Sequence, residues 1–214
     1  MEKLCNNIAS KVAGELNLSN DQREVIAYGA FAILQMLYSI LIVVLFGLLF
    51  HVVIEALIIS FTISILRKYS GGIHASSPGR CLVIGTVVCT GQAVLISYVI
   101  GEWASLGIVL FLGLLFFTWS YYIVYKLAPV ESPAKPIKRE EKRKKMKKGS
   151  IIILSAYLFI ILINCILYLF TREKVFMVYS LCIYGGIIWQ VFTLTNGGHL
   201  ILGKVDTFLK SFKI

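Results

Sequence analysis

The chain has 214 residues, a formal net charge of +10, 58% hydrophobic residues and a mean hydropathy of +0.83. Only 15% of its residues are charged, against about 25% in ordinary soluble domains. These values exclude a disordered chain, a coiled coil and most soluble globular folds, and point to one all-α, polytopic membrane domain over 1–214.

The N-terminal segment, 1–22, is amphipathic. Leu4, Ile8, Val12 and Leu16 recur every four residues among Lys3, Lys11 and Glu15. That spacing predicts a helix, either lying along the membrane surface or packed on the rest of the protein. The start does not look like a cleaved signal peptide, because its polarity stays mixed. Ser19 and Gln22 form a candidate capping box for the next helix.

Six apolar runs follow. The first, 27–50, is long enough to cross the hydrocarbon and ends in a turn near 47–51. The second, 52–66, is short and holds Glu55, which leaves a short span, a tilted one or a re-entrant piece open. Arg67 and Lys68 end it. A polar, glycine-rich stretch from Ser70 to Cys81 comes next, then apolar runs at 82–100 and 103–125. Trp119, Tyr121, Tyr122 and Tyr125 in the fourth run suit the headgroup level. Residues 129–149 open with Pro129, Pro133 and Pro136 and hold nine basic residues against three acidic ones, so +6 of the net charge sits in this loop. The last two runs, 151–170 and 175–194, flank the short polar turn 171–174. The tail, 196–214, places Leu200, Ile201, Val205, Phe208, Leu209 and Phe212 among His199, Lys204, Lys210 and Lys213, a second amphipathic pattern.

Basic loops stay on the cytoplasmic side, which places 129–149 inside. Counting back through two spans puts 67–80 inside as well, in agreement with Arg67, Lys68 and Arg80. Both termini then fall on that side of the cell membrane.

Chemistry concentrates at 67–81. His74 and Cys81 put a base and a nucleophile together at a membrane edge. Seven residues of straight helix would separate them by about 10 Å, too far for a hydrogen bond. The glycines, Ser76, Ser77 and Pro78 argue for a loop followed by a helix starting near Gly79, which would fold His74 back over Cys81. A helix start also favours an anionic thiolate. Arg67 and Arg80 add positive potential, with Arg80 a candidate for a substrate carboxylate. The bland alternative, two packing residues, stays open. Cys5 has no suitable neighbour in sequence. Cys89, Cys165 and Cys182 lie in apolar runs and read as small hydrophobes. His51 falls at the opposite membrane face. His199 falls on the same side as the site, where it reads as a helix-end residue. Five cysteines without a short-spaced pair give no disulfide framework and no zinc knuckle, and neither a metal nor another cofactor is expected. Lys142, Arg143, Lys144, Lys145, Lys147 and Lys148 suit anionic lipid or an acidic peptide segment, whereas nucleic acid fits poorly because no groove-reading pattern accompanies the charge.

The core Ser70-Gly71-Gly72-Ile73-His74-Ala75 within Arg67 to Cys81, followed by Ala128-Pro129 and Lys135-Pro136 ahead of the basic loop, resembles the AgrB family, the accessory gene regulator B membrane peptidases of Gram-positive quorum sensing. The resemblance extends over essentially the whole chain. It implies a cysteine endopeptidase that processes an AgrD-type propeptide toward a cyclic thiolactone pheromone, works as a homodimer, and uses His74 and Cys81 as its catalytic pair. Other important positions fall on Arg67 and Gly72. Such a propeptide ends in an acidic part that would suit the basic loop. A small peptide exporter and a non-catalytic membrane assembly subunit remain the alternatives from other classes.

Overall fold

The computed structural model describes residues 2–131, 137 and 139–212, all helix and connection. Lys135, Pro133, Pro136 and Lys213, singled out above, lie outside the described residues. Residues 1–42 and 43–214 form two compact units. The first holds α1 (Glu2–Glu15) and most of α2 (Asn20–Leu49). The expected capping box is present at the start of α2: the Ser19 amide donates to Gln22 Oε1 at 3.0 Å, and the Gln22 amide donates to Ser19 Oγ at 3.3 Å.

The second unit is built from α3 (Val53–Ser70), α4 (Pro78–Leu95), α5 (Leu106–Leu127), α6 (Glu140–Thr171), α7 (Val175–Phe192) and α8 (Asn196–Ser211). A π turn (Ile96–Ile100) and a 3₁₀ turn (Gly101–Trp103) extend α4. Among the described residues, five helices are long and apolar enough to cross a membrane: α2, α4 with its extension, α5, α6 and α7. The short second run is α3, which carries Glu55, Arg67 and Lys68. It runs unbroken from Val53 to Ser70 and is not among those five helices. At 1.5 Å per residue it is about 27 Å long.

α3 and α7 form the centre of this unit. α3 buries Ala56, Ile59, Ile63 and Leu66 along one stripe and packs on α4, α6 and α7. α7 is buried nearly all round, from Met177 to Val191. In hydrocarbon such packing gains little from the hydrophobic effect, so close fit and polar ties must hold it. A Cβ on Gly186 would meet Thr62 Cβ at 2.7 Å, which shows how closely α7 approaches α3. Tyr157 donates to the Thr62 carbonyl at 3.0 Å, and Tyr184 to the Val109 carbonyl at 2.9 Å.

One expectation is corrected here. The second half of the basic stretch is not a loop. α6 begins at Glu140, so Lys142 to Lys148 form the first turns of a 32-residue helix that continues into the fifth apolar run.

Candidate active site

The site lies where α3 ends and α4 begins. The connection opens on two glycines with positive φ, Gly71 at 69° and Gly72 at 128°. A Cβ on Gly71 would overlap the Val130 carbonyl. On Gly72 it would meet Thr193 Oγ1 at 2.7 Å and Gln190 Nε2 at 3.3 Å. Both positions therefore need glycine for space as well as for backbone conformation.

The connection is tied from several sides. The Val130 amide donates to the Ser70 carbonyl at 2.9 Å, and the Gly72 amide donates to the Val130 carbonyl at 3.3 Å. Fully buried Gln190, on α7, donates through Nε2 to the Gly71 carbonyl at 2.7 Å and to Ser70 Oγ at 3.0 Å. The Ile73 amide donates to the Thr193 carbonyl at 3.4 Å. Arg67 donates through Nη2 to the Ile73 carbonyl, so the last turn of α3 holds the residue before His74.

After Ala75 the chain turns into α4. Ser77 is the N-cap, with extended backbone (φ −136°, ψ 142°), and Pro78 takes the first helical position, where its missing N–H costs nothing. Cys81 follows in the first turn, its amide donating to the Ser77 carbonyl at 3.0 Å. Its Sγ lies 3.9 Å from His74 Nδ1, within reach of a long sulfur hydrogen bond. The loop and helix break do what the residue spacing demanded. Among the five cysteines, four are buried and Cys81 is partly exposed. His74 is exposed. The Arg67 guanidinium interacts electrostatically with Cys81.

The structure brings together His74, Cys81, Arg67 and Gly72. Arg80 lies beside them but is engaged: Nε donates to Asp206 Oδ1 at 2.8 Å, and Nη2 donates to Ser76 Oγ at 2.6 Å. Of the basic residues on α6, Arg143 pairs with Glu131 at 2.9 Å, Lys144 pairs with Glu140 at 3.1 Å, and Lys147 sits 4.2 Å from the centroid of the Tyr125 ring. Lys142, Lys145 and Lys148 are exposed at three-residue spacing. His51 lies before the start of α3, at the opposite end of that helix from Arg67. His199 is in the first turns of α8, with Nε2 shielded from solvent and without a hydrogen-bond partner. The sequence reading does not single out Gln190, Thr193, Val130 or Asp206, and it takes Ser76 only as a helix breaker. A glutamine within an otherwise apolar run is a signal that would have flagged Gln190.

A model of accessory gene regulator B matches residues 5–194. The chain belongs to the AgrB family. An AgrB-like protein 2 of Clostridium perfringens strain 13 is 42% identical over 208 residues, covering 97% of each chain. An AgrB-like protein of C. perfringens strain SM101 is 43% identical over 210 residues, again covering 97% of each. No solved structure matches the chain. AgrB proteins are membrane proteins implicated in AgrD-type propeptide processing, and the match spans α3 to α7 and the whole of the His74–Cys81 connection.

Proposed function

We propose that this AgrB-family protein is a membrane cysteine endopeptidase that cleaves the C-terminal part from an AgrD-like propeptide through an acyl-enzyme thioester on Cys81. The observation that carries the proposal is the 3.9 Å approach of His74 Nδ1 to Cys81 Sγ in the first turn of a helix, with Arg67 alongside. With the ring proton on Nε2, Nδ1 is the ring atom that accepts the thiol proton.

The thiolate attacks the carbonyl at the junction between the ring-forming segment and the acidic tail. As the C–N bond breaks, His74 returns the proton to the departing amine. The propeptide's own cysteine then attacks the thioester, which closes the thiolactone and restores the Cys81 thiol. Exchange of one thioester for another is nearly neutral in bond type, so removal of the released tail would draw the sequence forward. The Cys81 amide is committed to the Ser77 carbonyl and Pro78 has no N–H. In this reading the Gly79 amide, at the second position of α4, is the oxyanion donor.

The basic stretch supports a cytoplasmic site and cytoplasmic termini by the positive-inside rule. Lys142, Lys145 and Lys148 would meet the acidic tail of the propeptide, and basic residues nearby would also touch anionic lipid. A homodimer belongs to the same reading; a purely monomeric active species in lipid would remove that part.

The test is the intact mass of the purified protein after mixing with propeptide. An adduct on Cys81 equal to the propeptide less its released C-terminal part is expected, absent in Cys81→Ala. Cleavage that persists in purified Cys81→Ala would refute the assignment. Propeptide moved across proteoliposomes uncut would favour an exporter instead.

A further inference from the structure

Asp206 lies on α8, beyond the residues that the family model matches. Its Oδ1 accepts from the Ser76 amide at 3.1 Å and from Arg80 Nε at 2.8 Å. Its Oδ2 accepts from the Ser76 hydroxyl at 2.6 Å. That hydroxyl in turn accepts from Arg80 Nη2 at 2.6 Å, which closes a ring of three side chains. The Arg80 and Asp206 side chains are 11% and 17% exposed, so this is not a loose surface pair. Charge-assisted bonds this short are among the stronger ones a side chain makes. The Ser76 hydrogen bonds and the Arg80 guanidinium outweigh partial burial and hold the Asp206 carboxyl below the usual carboxylate range.

Position gives the ring its meaning. Ser76 stands two residues after His74, and Arg80 immediately precedes Cys81. The ring therefore fixes the turn through which His74 folds back. The bundle does not depend on it: α3, α5, α6 and α7 pack on one another, whereas α8 touches α4 and leaves Leu200, Phe208 and Phe212 more than half exposed.

We infer that Asp206 is a positioning residue for the His74–Cys81 pair, anchoring the Ser76–Arg80 turn to α8 so that the imidazole meets the thiol. The inference rests on the cysteine-peptidase reading above. It gives Arg80 an intramolecular carboxylate in place of a substrate's.

The experiment uses the full chain in lipid nanodiscs. Two readouts are taken: the rate of iodoacetamide alkylation at Cys81, resolved by peptide mass, and kcat and KM for a synthetic AgrD-like propeptide. Asp206→Ala is expected to lower both the alkylation rate and kcat roughly tenfold, with KM within about twofold. Ser76→Ala, which keeps the Ser76 amide and Arg80 bonds to Asp206, should lower both by a smaller factor, and the double variant should be no worse than Asp206→Ala alone, because the Ser76 hydroxyl acts through the same carboxylate. Asp206→Glu should recover part of the loss. Alkylation and kcat unchanged in Asp206→Ala would overturn the inference, as would additive losses, or a rise in KM alone, which would mean substrate contact. If Asp206→Ala does not fold, Ser76→Ala and Asp206→Glu pose the same question. His74→Ala separates the two readings. Equal alkylation of Cys81 in the parent and in His74→Ala would remove the His–Cys pair itself, whatever Asp206 does.

Discussion

Replacing Gly72 by alanine should disable the site while leaving the bundle folded. Two costs arise at this position. The φ of 128° is one that L side chains rarely adopt, worth about 1–3 kcal/mol of backbone strain. The new Cβ would also stand 2.7 Å from Thr193 Oγ1. Thr193 is fully buried, and its hydroxyl already donates to the Gln190 carbonyl at 2.7 Å. Moving it aside would cost that bond, about 1 kcal/mol. The connection has fewer constraints than α7, so the connection should shift. His74 lies two residues on, and a displacement of about 1 Å at reacting groups can cost on the order of 100-fold in rate. Propeptide cleavage by Gly72→Ala should therefore fall by roughly that factor, with far-UV circular dichroism unchanged. Gly85→Ala, further along α4, is the control: among the described residues nothing lies within 4 Å of its Cβ. Gly72→Ala retaining activity within threefold of the parent would refute the reasoning.

Charge reversal at Lys142, Lys145 and Lys148 together should raise KM for propeptide roughly tenfold with little change in kcat, and the effect should shrink as salt is raised. An unchanged KM in correctly inserted protein would sink the role of this helix start in substrate capture. His74→Ala should lose cleavage while Cys81 still reacts slowly with iodoacetamide; cleavage that persists would end the dyad. The Asp206 carboxyl is held below its usual range, so its contribution is fully present above the unfolded value of about 4 and is lost as pH falls through the lowered folded value. Amide exchange protection in α8 should accordingly hold steady from pH 7 to 5 and fall only below about pH 4. A loss already complete at pH 6 would assign the pH response to another group.

Much of this architecture is legible in the sequence because its signals are local. Apolar length alone marks five of the helices, and the Ser19–Gln22 box is a contact across three residues. The His74–Cys81 approach is also nearly local, set by two glycines and a proline within a dozen residues. The reading failed where a local signal pointed the wrong way. A dense run of Lys and Arg suggests a solvated loop, yet nothing from Glu140 onward breaks a helix, and lysine, arginine, glutamate and methionine are all good helix formers. The apolar run that follows lets the helix propagate back into the charged residues, because extension is cheaper than nucleation. Gly149 makes this possible at the helix junction, since a Cβ there would overlap the Tyr69 ring.

The rest was illegible because it is not local. Gln190 reaches Ser70 across 120 residues, and Asp206 reaches Ser76 across 130. No spacing rule connects such pairs. Their placement follows a physical need that the motif cannot meet by itself. A polar connection of seven residues at the end of an apolar bundle has many amides and carbonyls to satisfy and few apolar contacts to hold it. Left to itself it would sample many shapes, and a His–Cys pair within it would meet only part of the time. Here α3 holds the Ile73 carbonyl through Arg67, α7 holds Gly71 through Gln190, Val130 brackets Ser70 and Gly72, and α8 holds Ser76 through Asp206. Each tie removes backbone freedom before substrate arrives, so the cost of ordering is met in folding and does not recur at every turnover. The short motif thus supplies the reacting groups, and their geometry is a property of the whole end of the bundle. Transplanting residues 67–81 onto another pair of membrane helices would carry the nucleophile and the base but not the 3.9 Å between them.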